Sequence, residues 1–262
     1  MAGFFGLFDY EKEGPGVSKD APQKKGFIRF FELYFKNFWK LTVNGIWYLL
    51  LTLPVVTSGL AAAGFTNVTR NMAVDRHSFG TSDFFDTIKK NFKQALPAGI
   101  INALIIGFLC YDIYFFYANA AGYYKIAGIA VCITALLFFC AMRYYIWIML
   151  ITFKLKLWSI YKNSFKFAFV GLKRNLLIFI ALLPMYALCW FLGSTGTGIT
   201  QFAFFIVILF VLPGYRFFAI QYNVFGVIKK HMIDPYYAEH PNDDIELRRS
   251  LGLIDDGYDD LI

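Results

Sequence analysis

Three ionisable side chains stand inside long apolar runs: Asp112, Arg143 and Arg216. A charge in hydrocarbon is costly unless paired or hydrated, so such residues are default candidates for ion pairs, proton relays or solute sites. Depth sorts them. Counted from the basic end of each run at about 1.5 Å per residue, Asp112 stands about 22 Å in, Arg216 about 18 Å and Arg143 about 14 Å. That matches Asp112 with Arg216, where a guanidinium fork on a carboxylate would neutralise both. The plainer alternative is an ion pair that only locks helices together. Arg143 precedes Tyr144-Tyr145 and Arg216 precedes Phe217-Phe218, so the two arginines are candidates for equivalent positions in a repeat. A proton or sodium relay would want a second intramembrane acid, and the runs hold none.

Other chemistry is not indicated. Cys110, Cys132, Cys140 and Cys189 lie in apolar runs with no Cys-x-x-Cys, and His77, His231 and His240 are far apart in sequence. Small buried hydrophobes fit the cysteines better than a metal or redox centre. No P-loop, Gly-rich nucleotide fingerprint or nucleophile elbow occurs. The sequence therefore reads as non-enzymatic, with no cofactor and no metal.

The elements that position these charges follow from composition. The chain has 262 residues, 58% hydrophobic and 16% charged, with 31 Phe and 17 Tyr. Soluble domains carry fewer apolar and more charged residues than that. Runs near the ~20 apolar residues needed to cross a bilayer occur at 97–118, 126–152, 176–192 and 200–228, the last interrupted by Pro213-Gly214. They are continuous rather than alternating, which excludes a β-barrel. The expected fold is an all-α polytopic membrane protein.

Lys and Arg are retained on the cytoplasmic side. Segments 1–40, 64–96 and 153–175 hold seven, five and six of them, while 119–125 holds one and 193–199 none. The four runs thus alternate between basic inner loops and short outer ones, with both termini cytoplasmic. Residues 39–68 are basic on both flanks. A single span there would export Arg70, Arg76 and three lysines, giving a five-span topology. A hairpin, with arms 39–53 and 55–68 turning at Pro54, keeps them inside and brings the count to about six. Arms of 14–15 residues reach about 22 Å, short of a ~30 Å core, so the hairpin is either re-entrant or extends into the interface. "SGLAAAG" at 58–64 offers small side chains for close helix packing.

One phrase recurs on the basic side. "FFELYFKNFWKL" at 30–41, "FFDTIKKNFKQAL" at 84–96 and the fainter "AFVGLKRNLLIF" at 168–179 align on Asn37, Asn91 and Asn175. Each precedes an apolar hairpin, so the chain reads as three units, about 27–75, 81–153 and 162–230. Each unit is an amphipathic interfacial helix followed by two membrane helices. In the first two units Phe30, Phe31, Phe84 and Phe85 would bury in the acyl boundary. Lys36, Lys89, Lys90, Lys173 and Arg174 would face anionic head groups. The asparagines read as helix-boundary or cap residues.

Residues 1–26 form a cytoplasmic segment that is no signal peptide, and Ala2 excludes myristoylation. The membrane domain covers 27–232. The tail, 233–262, is acidic: nine acids against Arg248 and Arg249. It reads as a solvated end or as a docking or signalling segment. The basic residues are spread over membrane-proximal loops, which does not indicate nucleic acid. The partner read directly from the sequence is the lipid bilayer.

"FDYEKEGPGV" at 8–17, "FFELYFKNFWKLTVNGIWYLLLTLPVVTSG" at 30–59 and "DFFDTIKKNFKQAL" at 83–96 resemble the YesL-like family of bacterial integral membrane proteins, whose molecular function is undefined. The resemblance supplies no catalytic residues. It implies the company of binding-protein-dependent carbohydrate importers, and hence an accessory or assembly role beside ABC importer permease subunits in the cell membrane. The chain lacks the Glu-Ala-Ala cytoplasmic loop with which permeases grip their ATPases, so it does not read as the permease itself. The alternative is a self-sufficient small-solute transporter or channel with its polar site at Asp112 and Arg216.

Overall fold

A computed structural model describes residues 26–239, and they form an all-α fold. The helices are α1 (Phe27–Lys36), α2 (Phe38–Thr52), α3 (Ser58–Ala73), α4 (Thr81–Asn119), α5 (Gly122–Thr152), α6 (Leu157–Val170), α7 (Leu172–Ser194), α8 (Gly198–Ile206), α9 (Leu212–Ile228) and α10 (Asp234–Glu239). A 3-10 turn, Val55–Thr57, joins α2 to α3. Two π segments, Val207–Val211 and Lys229–Ile233, link α8, α9 and α10 into one rod. The Gly-Pro-Gly motif near the N-terminus and most of the acidic tail lie outside the described residues.

Four elements are long and apolar enough to cross a bilayer: α4, α5, α7 and the rod from Gly198 to Glu239. The protein is a polytopic all-α membrane protein. The remaining two of the six expected membrane helices are the hairpin arms α2 and α3, of 15 and 16 residues. At about 1.5 Å per residue they reach about 22 and 24 Å, short of a ~30 Å hydrocarbon core. Their turn satisfies itself. Pro54 has no N–H to leave unpaired, the Thr57 N–H donates to the Pro54 carbonyl at 2.9 Å, and the Thr57 hydroxyl donates to the Leu51 carbonyl. Leu53, Val55 and Val56 around it are exposed. A tip closed on itself at Thr57 and carrying apolar side chains suits an end inside hydrocarbon.

Helix α3 is the axis of the bundle and packs on α2, α4, α5 and α9. Its small residues permit this. A Cβ on Gly59 would stand 2.1 Å from the Ala95 carbonyl oxygen and 2.6 Å from Gly99 Cα. One on Gly64 would stand 2.8 Å from the Phe84 carbonyl oxygen. Helices α3 and α4 therefore meet backbone to backbone. Helix α2 meets α9 less closely, Gly45 against the Pro213 side chain and Gly214 against the Leu41 side chain. The Thr42 hydroxyl donates to the Phe210 carbonyl (3.0 Å) in the π segment just before Pro213. Away from the hairpin the long helices bury little. Helix α4 buries nothing after Asn102, α5 only Cys132 before Phe139, and α7 only Cys189 after Leu182.

The three aromatic–basic stretches are helical but differ at their junctions. α1 breaks from α2 at Asn37 and α6 from α7 at Gly171, whereas the second runs unbroken into α4. With the asparagines aligned, the positions seven and four residues earlier are buried in every copy: Phe30 and Leu33, Phe84 and Thr87, Ala168 and Gly171. That is helical spacing, and it corrects the lipid assignment of Phe30 and Phe84. Phe30 packs on Tyr215, Phe218 and Tyr222 of α9, with ring centroids at 5.9, 5.2 and 5.4 Å. Phe84 is fully buried over Gly64. The bundle offers these rings a dry, close-packed surface at the depth where head groups would offer a wet one. Phe31 and Phe85 are half-buried, and the outward aromatics are Phe27, Phe35, Trp39 and Trp158. Lys36, Lys89, Lys90, Lys173 and Arg174 are exposed, as a head-group rim requires. Asp75, in the left-handed region at φ 58°, straps α1 down by accepting Arg29 at 2.5 Å and Lys36 at 2.7 Å.

The asparagines do different work from capping. Asn37 sits at a boundary without a side-chain cap and donates to the Leu33 carbonyl (2.9 Å), and Asn91 donates to Thr87 (3.0 Å) in mid-helix. Asn175 staples the Gly171 break: it accepts from the Tyr145 hydroxyl and donates to the Ala168 carbonyl, both at 3.0 Å. Asn175→Ala orphans a buried hydroxyl and a buried carbonyl, with an expected cost of about 2–4 kcal/mol. A lowered thermal midpoint in mild detergent reads this out; an unchanged midpoint would show that the junction is held by something else.

Candidate functional site

Between the short hairpin and the long helices lies a cavity of about 510 Å³. Side chains of α2, α3, α4, α5, α7 and α9 line it together. Tyr48, Ser58 and Thr66 come from the hairpin, Asn102 from α4, Arg143, Tyr144 and Trp147 from α5, Tyr186 from α7, and Arg216 and Gln221 from α9. Arg143 and Arg216 are each half-buried, and the cavity is where they keep exposed surface. The two guanidinium groups stand within each other's field, with the Tyr48 and Tyr144 hydroxyls beside both.

No aspartate or glutamate among the described residues lines this cavity. Among the described residues, five buried side-chain polar atoms lack a hydrogen-bond partner, and four belong to its walls: Thr66 Oγ1, Asn102 Nδ2, Arg143 Nε and Gln221 Oε1. The Asn102 carbonyl oxygen is taken by the Tyr161 hydroxyl at 3.3 Å, which leaves the amide NH2 free. The arrangement offers positive charge, donors and acceptors in one enclosed space, bordered by aromatic rings.

Residues 41–113 match the family described as "Protein of unknown function, DUF624". The match covers 73 of the 262 residues. This stretch contains most of the residues that carry the YesL-like resemblance. It spans nearly all of α2, the whole of α3 and most of α4, hence the Gly59–Gly99 crossing and the cavity wall of Tyr48, Ser58 and Asn102. Both cavity arginines lie outside it. No curated protein and no solved structure matches the chain.

Asp112 falls inside the DUF624 stretch but not in the cavity. It forms no ion pair with Arg216, which corrects the pairing expected from depth. Depth ignores rotation. Asp112 lies nine residues beyond the wall residue Ala103, about two and a half turns on at 3.6 residues per turn, and so faces away. Arg143 and Arg216, read from the sequence as equivalent positions, are brought to one space. Arg70 is a third buried arginine, but its donors have neutral acceptors in Asn67 (2.8 Å), Asn71 (3.0 Å) and Thr152 (3.2 Å), making it a clamp at the basic end. Thr66, Asn102 and Gln221 escape a reading restricted to ionisable groups. Their signal is a lone amide or hydroxyl side chain within an apolar span.

Proposed function

We propose that this chain is a non-enzymatic, solute-handling protein of the cell membrane, with both termini cytoplasmic, serving a carbohydrate ABC importer as an accessory partner. The observation that carries the solute reading is the cavity. Its volume, about 510 Å³, lies within the range of small-molecule sites, which is roughly 300–1,000 Å³. Tyr48, Tyr144, Trp147 and Phe217 border it together with amides and hydroxyls, a mixture that suits the C–H faces and hydroxyl groups of a sugar. Binding is favoured over catalysis because the described wall residues include no histidine or carboxylate to move a proton. The orientation rests on the basic segments around α1, the α3–α4 connection and α6.

The accessory role is supported by the YesL-like resemblance and by the short hairpin, which leaves the chain with four full-length spanning elements among its described residues. Crosslinking from native membranes with the tagged full chain, followed by mass spectrometry, tests it. Importer permease subunits are the expected neighbours, and recovery of only the chain itself and lipid would remove the accessory role. A self-sufficient carrier is the second reading, favoured by the π segment and Pro213 just before Arg216, since interrupted helices build substrate sites. Proteoliposomes of the folded chain that move no solute would sink it.

A further inference from the structure

We infer that the cavity is an anion site, in which Arg143 and Arg216 together hold an oxyanion, a carboxylate or a phosphate, on the molecule that occupies it. This rests on the reading that the cavity holds a ligand and adds what that ligand must carry. Arginine stays charged in proteins, so neither side chain escapes the cost of enclosure by losing a proton. The pair therefore brings two positive charges into one apolar bundle, and they repel each other. Tyr48, Tyr144 and Tyr186 stand near Arg216, but their hydroxyls are neutral dipoles and cancel no charge. No acidic residue among those described lines the space. Arg70 shows the contrast within the same molecule, because its guanidinium is met by three neutral side chains in hydrogen-bonding range.

An uncompensated pair of this kind is the least favourable arrangement of buried charge. An oxyanion between the two reverses the sign, turning one repulsion into two charge-assisted interactions. The remaining free atoms fit the same ligand. Arg143 Nε and Asn102 Nδ2 are donors without acceptors, and an oxyanion supplies acceptors. Gln221 Oε1 and Thr66 Oγ1 are without partners and can take hydroxyl donors. The ligand is thus anionic at one point and hydroxylated elsewhere. A sugar acid, a sugar phosphate and a polyhydroxylated phospholipid head group share that chemistry.

The test uses the purified full chain in mild detergent. Glucuronate and glucose are titrated against it, with binding read by tryptophan fluorescence, since Trp147 borders the cavity, and by calorimetry. Inorganic phosphate is a third probe, and native mass spectrometry reports retained phosphatidylglycerol. Wild type is expected to bind glucuronate or phosphate at least about tenfold more tightly than glucose, or to retain phosphatidylglycerol. Arg143→Gln and Arg216→Gln are each expected to weaken that binding about tenfold to a hundredfold. Arg143→Lys and Arg216→Lys, which keep the charge and lose the fork, are expected to fall between. Glucuronate binding assigns the oxyanion to a solute, and phosphatidylglycerol lost in the Gln variants assigns it to lipid; both support the site. Wild type that binds glucose as tightly as glucuronate, ignores phosphate and retains no anionic lipid overturns the anion site while leaving a neutral-solute cavity standing. Wild type that binds none of the probes overturns it as well. The wild-type comparisons hold whether or not the variants fold, and their outcome is independent of the crosslinking result.

Discussion

Gly59→Val is expected to destabilise the bundle by about 3 kcal/mol or more, at or beyond the upper end of ordinary overpacking. The first carbon of the new side chain would be driven to 2.1 Å from the Ala95 carbonyl oxygen and 2.6 Å from Gly99 Cα. Both obstacles are backbone, so no rotamer change makes room. Relief requires α3 to back away from α4, and α3 is also packed on α2, α5 and α9. Gly99→Val approaches the same crossing from the other side, at 2.6 Å from Gly59 Cα, and is expected to behave alike. Gly107→Val is the control: it lies on the same helix, where a Cβ meets nothing within 4 Å. Thermal unfolding in mild detergent compares the three. A Gly59→Val melting curve that overlays the Gly107→Val curve would refute the close crossing.

Phe84→Ala is expected to cost about 3–5 kcal/mol, the usual range for a buried aromatic ring. Phe92→Ala, two turns further along α4 and half exposed, is expected to stay within about 0.5 kcal/mol of wild type. The contrast decides what the aromatic–basic stretch does. If Phe84 sat among head groups, the two substitutions would melt alike. If it anchors α4 to Gly64 of α3, only the first would lower the midpoint. Phe30→Ala on α1 extends the comparison to the contact with α9.

What could be read in advance depended on which variable a residue pattern encodes. Length and continuity of apolar runs translate directly into spanning helices, and all four long elements appear where those runs stand. The first hairpin was legible through charge rather than hydropathy, because Arg70, Arg76 and the lysines of α4 constrain both its flanks to one side. Amphipathic spacing identifies a buried face but not what buries it, so Phe30 and Phe84 looked lipid-bound. Depth along a run says nothing of rotation, so Asp112 was matched with Arg216 although it faces away from the cavity. The apolar run at 97–118 opens on Pro97, yet α4 passes through it. The hydrogen bond it removes falls at the carbonyl of exposed Lys93, where water and head groups can stand in. The cavity itself was hidden because its walls are gathered from six helices, a property of no single segment.

The short hairpin, with arms of 15 and 16 residues, makes bilayer thickness a variable for this protein. The tip of the hairpin stands about 22 Å from the basic end, and a typical hydrocarbon core is about 30 Å thick. In an average membrane an apolar layer of about 8 Å, the difference between these two lengths, separates the tip from the far interface. In short-chain lipid that layer vanishes and the hairpin tip, with the cavity-lining Val55 and Ser58, meets the far head groups. In sterol-thickened or long-chain bilayers it deepens, and the long helices must tilt or the lipid must pucker around the tip. The surroundings of the hairpin tip are thereby tied to acyl-chain length.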